Sequence, residues 1–179
     1  MLFKKTSLKD SYIIELELME DKRGFFARSF CQREFEKHGL NPSIVQCNVS
    51  YNKRKGTLRG MHYQVAPYKE SKLISCIRGS MYDVIIDLRN DSPTYCKWMS
   101  VHLSANSYGL LYVPEGCAHG FQTLEDDTIV FYQMSEFYHP ECSRGIGWND
   151  PFFQIKWPIR DIIVSPRDDN YPRFKKDNS

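Results

Sequence analysis

The chain of 179 residues is long enough for one domain with a hydrophobic core, and its formal charge of +2 gives no indication of nucleic-acid or membrane binding. No apolar run is long enough to cross a bilayer, and the first residues lack the apolar segment of a signal peptide. The six cysteines are widely spaced without a Cys-x-x-Cys pair, and we interpret them as reduced thiols of a cytoplasmic protein.

The N-terminal part of the chain predicts two strands followed by a helix. Alternating apolar and polar residues predict a strand at 11–18, and a second, short strand is expected at 25–30. Ser29 is a candidate helix cap with Gln32 at the capping-box position, so a helix is expected at about 30–38.

The middle of the chain predicts further strands separated by turn residues, at 44–50, 72–77, 81–88, 97–103, 109–113 and 128–136. Many short, regularly spaced strands are typical of a β-sandwich or barrel. We therefore expect an all-β fold in a single domain over residues 1–179. Its parts would be N-terminal strands and a helix (1–43), a β-sandwich core (44–140) and an irregular C-terminal packing segment (141–179).

The stretch from Leu58 to Gln64 is too polar for a core and carries two chemically useful side chains, Arg59 and His62. Residues three apart in a regular strand point to opposite faces, but Gly60 between them allows a bulge that re-aims one side chain. A permanent cation beside an imidazole suits the binding of an anionic substrate and the movement of a proton. On this stretch alone, a surface arginine and a structural histidine explain the pattern equally well.

A second informative stretch, from Pro114 to Phe121, has a Pro-x-Gly-x-x-His spacing that resembles the second motif of the cupin superfamily, whose members are small jelly-roll barrels. The first cupin motif normally supplies His-x-His and a glutamate to a metal, whereas this chain has His62, Tyr63 and Gln64 and lacks that glutamate. Two imidazoles without a carboxylate are a poor ligand set for a catalytic metal. His119 is then either a site residue or a buried, hydrogen-bonded histidine.

Taken together, motifs along nearly the whole chain resemble the dTDP-4-dehydrorhamnose 3,5-epimerase family, nucleotide-sugar epimerases of the cupin fold. Besides the two stretches above, the matching motifs are Asp21-x-Arg23-Gly24-x-Phe26, Gln46-x-Asn48, Lys72-Leu73, Tyr82 to Arg89, Phe131-Tyr132, Trp148 to Pro151 and Ser165 to Asp168. The resemblance implies a jelly-roll core, no metal and no cofactor.

The implied reaction is epimerisation at C3, C5 or both of a nucleotide-linked 4-keto-6-deoxy sugar, in surface polysaccharide or deoxysugar biosynthesis. The ketone acidifies the hydrogens on its two neighbouring carbons, so removal of one gives an enolate. Return of a proton to the opposite face inverts that carbon. Such a reaction needs a base on one face, an acid on the other and a cation near the developing oxyanion.

The resemblance assigns these roles to four residues. His62 matches the base, and an unperturbed imidazole pKa of about 6.5 suits this task. Asp168 matches the carboxylate that orients the base, although spacing does not exclude Asp169. Tyr132 matches the acid, and Lys72 matches the cation near the keto oxygen.

The resemblance also implies the residues that hold the substrate. Arg59 suits the diphosphate, His119 provides a further contact, and Tyr138 matches a ring that stacks on the base. Other matched substrate-binding positions are Gln46, Asn48 and Arg167. The family resemblance further implies a homodimer, in which Arg23 and Phe26 reach into the neighbouring subunit's site.

The chain departs from the family near the nucleotide. Arg28 and Arg144 stand where the family commonly has glutamate, and Cys47 replaces an aspartate. Arginine is a better partner for the acceptors of cytosine or guanine than for thymine N3–H, which suggests a CDP- or GDP-linked substrate. Alternatively, these arginines contact phosphate or solvent and the base is still thymine.

Three other functions are weighed against epimerisation. A 3,4-ketoisomerase on the same fold would move a proton between C3 and the C4 oxygen. A metal-dependent cupin, such as a dioxygenase, is disfavoured by Gln64 and the missing glutamate. A non-catalytic sugar- or nucleotide-binding cupin is disfavoured by the complete set of acid, base and lysine.

Overall fold

The computed structural model describes residues 1–176, and residues 177–179 of the predicted C-terminal segment lie outside the described residues. Its strands are β1 (Leu2–Lys5), β2 (Tyr12–Glu15), β3 (Met19–Asp21), β4 (Gly24–Phe26), β5 (Gln46–Asn52), β6 (Thr57–Gln64), β7 (Lys72–Arg78), β8 (Ser80–Asp87), β9 (Trp98–Ser104), β10 (Gly109–Val113), β11 (Cys117–Thr123), β12 (Thr128–Met134), β13 (Ser143–Gly145) and β14 (Ile163–Val164). Its helices are α1 (Gln32–Lys37) and α2 (Pro166–Asp169). No helix among residues 1–176 is both long and apolar enough to cross a membrane.

Two antiparallel sheets form a sandwich. The first has the strand order β1-β2-β10-β7-β12-β5, and the second has the order β13-β6-β11-β8-β9, with β14 added in parallel to β6. From β5 to β8 and from β9 to β12, successive strands alternate between the sheets, apart from the β8–β9 hairpin. The predicted all-β jelly-roll sandwich is therefore confirmed. Among residues 1–176, the β3–β4 hairpin forms a separate two-stranded sheet, and it is exposed.

The hydrophobic core lies between the two sheets. Ile74, Leu111 and Val130 of the first sheet pack against Ile85 and Phe121 of the second, and all five are essentially inaccessible to solvent. Burial of such large side chains stabilises a fold by about 1.5–3 kcal/mol each. This packing fixes how far apart the two sheets stand.

Two further segments cover the outer faces of the sandwich. Phe35 of α1 is buried against Ile14 and Leu110 of the first sheet. The C-terminal segment packs Phe153 against the second sheet, on the face opposite the core, in a cluster that includes Val84. Both faces of each sheet are thus partly buried, which is why strands such as β8 contain nearly continuous apolar runs.

The helix begins later than predicted, and the predicted Ser29 cap is wrong. Its N-cap is Cys31, which makes no side-chain capping hydrogen bond. The strand expected at 25–30 also ends early, at Phe26. Phe30 packs on Phe35 with ring centroids 4.9 Å apart, so this aromatic contact accompanies the start of the helix instead of a capping box.

Candidate active site

A bulge in β6 turns Arg59 and His62 toward one cavity. Opposite β6, His119 pairs with His62 and Phe121 pairs with Arg59, so three steps along β6 match two along β11. Gly60 has a φ of +138°, and a Cβ there would lie 2.5 Å from the Cα of Gly120. Only glycine fits this position, and the bulge predicted from the sequence is confirmed.

The cavity has a volume of about 490 Å³ and takes its lining from both sheets. The second sheet contributes Arg59, His62, Tyr63, Gln64, His119, Phe121 and Ser143. The first sheet contributes Gln46, Asn48, Ser50, Lys72, Tyr132 and Met134. The remaining lining residues are Glu70, Tyr138 and Arg167. Nine of the predicted site residues therefore meet in one cavity: Gln46, Asn48, Arg59, His62, Lys72, His119, Tyr132, Tyr138 and Arg167.

His62 is paired with the carboxylate of Asp168, which lies behind it. The distance from His62 Nε2 to Asp168 Oδ1 is 2.8 Å, and Asp168 Oδ2 accepts a hydrogen bond of 3.2 Å from the backbone N–H of Gly60. Burial raises the pKa of Asp168, but these hydrogen bonds outweigh it, and the pKa lies below its ordinary value. The carboxylate therefore keeps Nε2 protonated and leaves Nδ1 as the acceptor nitrogen of a neutral ring.

The geometry of the short helix α2 determines that Asp168, and not Asp169, contacts His62. The Ser165 hydroxyl caps it by accepting a 3.1 Å hydrogen bond from the backbone N–H of Asp168, and Pro166 occupies the first helical turn. This geometry turns the buried Asp168 side chain inward, while the exposed Asp169 accepts a 3.1 Å hydrogen bond from Trp148 Nε1. Asp168 is thus the partner of His62.

A second histidine–carboxylate pair lies beside the first. His119 Nε2 is 2.7 Å from Asp83 Oδ1, and both side chains are buried. Burial raises the pKa of Asp83, although His119 opposes this effect. The other carboxylate oxygen of Asp83 has no hydrogen-bond partner among residues 1–176. His119 is thus a buried, hydrogen-bonded histidine, as one of the two predicted alternatives holds, and it also lines the cavity.

The first sheet presents Tyr132 and Lys72 to the same cavity. They lie on adjacent strands, with Tyr132 opposite Ile74 and Lys72 opposite Met134, so both point to the inner face. Burial raises the pKa of Tyr132, and the nearby Asp83 carboxylate raises it further, so its hydroxyl is protonated at neutral pH. The ring of Tyr132 is edge-on to that of His119, with centroids 6.2 Å apart.

Lys72 is buried and forms an ion pair with the buried carboxylate of Glu70. A buried ammonium requires such a partner, because an unpaired charge in this position would lose its hydration without compensation. The pair lines the cavity and so supplies a fixed cation with an adjacent carboxylate.

Arg59 is held from behind by a buried amide. Its Nε donates a 2.8 Å hydrogen bond to Asn52 Oδ1, and the Asn52 side chain in turn donates to the backbone oxygens of Ser50 and Thr128. Within residues 1–176, no hydrogen bond or ion pair uses the terminal nitrogens of Arg59. They are therefore available to an anion in the cavity.

Other polar and aromatic groups complete the lining of the cavity. Gln46 Oε1 accepts a 3.2 Å hydrogen bond from the backbone N–H of Tyr138, and Gln46 Nε2 donates to Asn48 at 3.3 Å. Arg167 donates to the hydroxyl of Ser143 at 3.1 Å. Tyr138 is 51% exposed, so its ring has an open face for a planar ligand.

Gln64 holds two loops together. Its Nε2 donates to the backbone oxygens of Tyr68 and Phe137, at 2.9 and 3.1 Å, and its Oε1 accepts a 2.7 Å hydrogen bond from the backbone N–H of His139. Gln64 occupies a position that carries a metal ligand in many cupins, but here its side chain forms hydrogen bonds to backbone groups. Within residues 1–176, no group of three or more His, Cys, Asp or Glu side chains is arranged to hold a metal ion.

Four predicted substrate-binding residues do not line this cavity. Arg144 donates to the backbone oxygens of Glu141 and Ser143, at 2.8 and 2.9 Å, and Arg28 pairs with Glu34 at 3.0 Å. The other two, Arg23 and Phe26, belong to the exposed hairpin and its turn, and Phe26 is 71% exposed. The arginines thought to distinguish the nucleotide base are therefore not part of this chain's cavity.

Several residues in or beside the site had no predicted role, namely Ser50, Tyr63, Glu70, Asp83, Phe121, Met134 and Ser143. Two of them carried a signal in the sequence. Asp83 is a carboxylate flanked on both sides by apolar residues of its strand. Glu70 precedes Lys72 by two residues, on the same side of an extended chain.

The sandwich and its cavity, with a histidine–carboxylate pair on one sheet and a tyrosine and lysine on the other, define a cupin-type protein with acid and base groups around one site. The model of the family described as dTDP-4-dehydrorhamnose 3,5-epimerase matches residues 5–176. The protein of that name from Shigella flexneri is 42% identical over 171 residues, which cover 95% of this chain and 94% of the relative. The chain belongs to the dTDP-4-dehydrorhamnose 3,5-epimerase family.

Solved structures agree with this assignment. The dTDP-4-dehydrorhamnose 3,5-epimerase of Elizabethkingia anophelis has a TM-score of 0.95 at 40% identity, covering 100% of this chain and 99% of that chain. The Bacillus anthracis enzyme of the same name, whose structure has TDP and PPi bound, has a TM-score of 0.93 at 42% identity, covering 97% of this chain and 99% of that chain.

Proposed function

We propose that this protein epimerises C3, C5 or both of a dTDP-linked 4-keto-6-deoxy sugar in deoxysugar biosynthesis. The observation that carries this proposal is the placement of His62 and Tyr132 on facing sheets around one cavity. Inversion of a carbon requires proton removal on one side and proton return on the other. A base and an acid on opposite walls supply these two sides.

In the proposed first step, His62 Nδ1 takes the proton from the carbon next to the ketone. The C–H electron pair moves into an enolate, and negative charge develops on the keto oxygen. Asp168 stabilises the imidazolium that forms, because its carboxylate already accepts a hydrogen bond from the Nε2–H of His62. The ammonium of Lys72 stabilises the enolate oxygen, and Glu70 holds that ammonium in the cavity wall.

In the second step, Tyr132 returns a proton to the opposite face of the enolate. Its raised pKa keeps it protonated until the enolate carbon is available. The inverted carbon then has a new C–H bond, and the protons of Tyr132 and His62 re-equilibrate with solvent. Deuterium from the solvent therefore enters each carbon that is epimerised.

The remaining groups suit the nucleotide diphosphate. Arg59 offers its free guanidinium nitrogens to the diphosphate, with Asn52 fixing its Nε. Tyr138 offers its open ring face to the base, beside Gln46 and Asn48. These contacts bind the part of the substrate that does not react.

Thymine is the base that we favour. Arg28 pairs with Glu34, and Arg144 donates to backbone oxygens, so neither side chain enters the cavity of its own chain. The family's name and the TDP in the Bacillus anthracis structure support dTDP.

We further propose that the protein is a cytoplasmic homodimer. The exposed β3–β4 hairpin, with Phe25 and Phe26 on its surface, is the segment that would reach a neighbouring site. Among residues 1–176 the six cysteines are unpaired, which fits a reducing compartment. Analytical ultracentrifugation of wild type and Phe26→Asp tests the dimer, since a monomeric wild type would contradict it.

Incubation with dTDP-4-keto-6-deoxyglucose in deuterated buffer, followed by NMR at C3 and C5, tests the proposed reaction. We expect deuterium at one or both carbons for the wild type and none above background for His62→Ala. Parallel reactions with the CDP and GDP analogues test the base. A 3,4-ketoisomerase would instead move the ketone to C3, and absence of exchange with every nucleotide would exclude epimerisation.

A further inference from the structure

Tyr171 packs against His62 without lining the cavity. The two ring centroids are 5.6 Å apart with an interplanar angle of 70°, so the rings meet edge to face. Tyr171 follows Asp168 by three residues. The imidazole of His62 is therefore held by a carboxylate and by an aromatic ring that come from the same short stretch of chain.

The Tyr171 ring packs against Gly145. A Cβ at Gly145 would lie 2.4–2.5 Å from three carbons of the Tyr171 ring, spread around it, so the ring lies flat over the glycine. Gly145 pairs with His62 across the β13–β6 ladder. The absence of a side chain at this position thus leaves room for Tyr171 directly beside the imidazole.

Packing is the main constraint on the position of the Tyr171 ring. Its hydroxyl is buried and forms no hydrogen bond of good geometry among residues 1–176. Burial raises the pKa of Tyr171, and the nearby Arg167 side chain opposes that effect. The guanidinium carbon of Arg167 lies 5.8 Å from the ring centroid, near the limit of a cation–π contact. The ring itself is therefore the part of Tyr171 that matters to its neighbours.

We propose that Tyr171 is a positioning residue for the proton-transferring histidine, an inference that rests on the proposed epimerase function. Asp168 fixes one nitrogen of the imidazole but leaves the ring free to pivot about that hydrogen bond. Tyr171 blocks this pivot and directs Nδ1 into the cavity. A base displaced by about 1 Å loses about a hundredfold in rate, so such a restraint affects turnover more than substrate binding.

Two glycine substitutions test the restraint without altering His62, Asp168 or Tyr171. Gly145→Ala places a methyl group in the Tyr171 ring and must displace it. Gly147→Ala, two residues along, is the matched control, because its Cβ would meet nothing closer than 3.5 Å. We expect kcat to fall about 10- to 100-fold for Gly145→Ala with KM within about twofold of wild type, and neither constant to change for Gly147→Ala.

Substitution of Tyr171 itself completes the test. Tyr171→Phe retains the ring and is expected to keep a kcat within about twofold of wild type, whereas Tyr171→Ala should lose about 10- to 100-fold with KM unchanged. A purely structural role would lower the fraction of folded enzyme, which active-site titration measures, without changing kcat per folded site. Wild-type kcat per folded site in Tyr171→Ala would overturn the proposal.

An NMR measurement on the substrate-free protein separates this proposal from the proposed function. The ring-nitrogen shifts of His62 report its tautomer and its hydrogen bond to Asp168. We expect them to change in Gly145→Ala and Tyr171→Ala but not in Gly147→Ala or Tyr171→Phe. Unchanged shifts in the first two variants would refute the positioning role, whether or not the protein proves to be an epimerase.

Discussion

Replacing Asp168 with asparagine removes the charge behind His62 while keeping nearly the same shape. The carboxylate now accepts two hydrogen bonds, from His62 Nε2 and from the backbone N–H of Gly60. An asparagine offers one oxygen and one N–H₂ group, so only one of these donors keeps a good acceptor. Either the imidazole loses its fixed tautomer or the Gly60 N–H is left unpaired.

The size of the effect follows from the lost charge-assisted hydrogen bond. Such a bond contributes about 1.5–3 kcal/mol, and about 1.4 kcal/mol corresponds to a factor of ten, so kcat should fall by about 10- to 150-fold. Misorientation of the ring adds to this loss. KM should change little, because Asp168 lies behind His62 and does not line the cavity.

Deuterium exchange at the sugar carbons, measured at saturating substrate, gives kcat for wild type and Asp168→Asn. The matched control is Asp169→Asn, which alters only a 3.1 Å hydrogen bond from Trp148 and should leave kcat unchanged. A kcat within twofold of wild type for Asp168→Asn, or an equal loss in both variants, would refute the reasoning about this pair.

Three other predictions follow from described contacts. Tyr132→Phe removes the proposed acid, so it should lower the yield of inverted product by about 10²- to 10⁴-fold, while exchange of the abstracted hydrogen with solvent continues. NMR measures inversion and exchange separately, and equal losses of inversion and exchange would argue against an acid role. Gly60→Ala should destabilise the fold by more than about 2 kcal/mol in urea unfolding, because of its positive φ and the close Gly120 Cα; wild-type stability would contradict the bulge geometry. The carboxyl of Asp87 is desolvated, but hydrogen bonds from Arg89 and neighbouring hydroxyls lower its pKa to about 2. Its stabilisation of about 2 kcal/mol should be complete above the unfolded-state pKa of about 3.9 and disappear as pH falls toward 2, so that the stability gap between wild type and Asp87→Asn closes with acid.

The strands that could be predicted from the sequence are those whose residues carry a period or an apolar run. β7, β8, β10 and β12 are predictable because each contains a run that is mainly apolar. β11 is not predicted as a strand, since glycine and histidine interrupt its pattern, although every residue in it is buried. Burial by a facing sheet is a tertiary property that local periodicity does not contain.

The site was predictable as a set of residues but not as a set of contacts. Spacing could not choose between Asp168 and Asp169, because the choice depends on the Ser165 cap and the direction of a four-residue helix. It also could not assign Gln64 its actual task, since its three partners lie on loops far apart in sequence. Arg28 and Arg144 suggest a different base by their charge alone, whereas their contacts with Glu34 and with backbone oxygens depend on the fold.

The proposed base and the proposed acid lie on different sheets of the sandwich, and this has a mechanical consequence. His62 and Tyr132 lie on facing sheets, and core residues between those sheets, such as Ile85 and Leu111, set how far apart the two strands stand. Interiors packed at crystalline density resist compression, so this gap is stiff. The separation of the proposed base and acid is therefore set when the chain folds and does not depend on substrate binding.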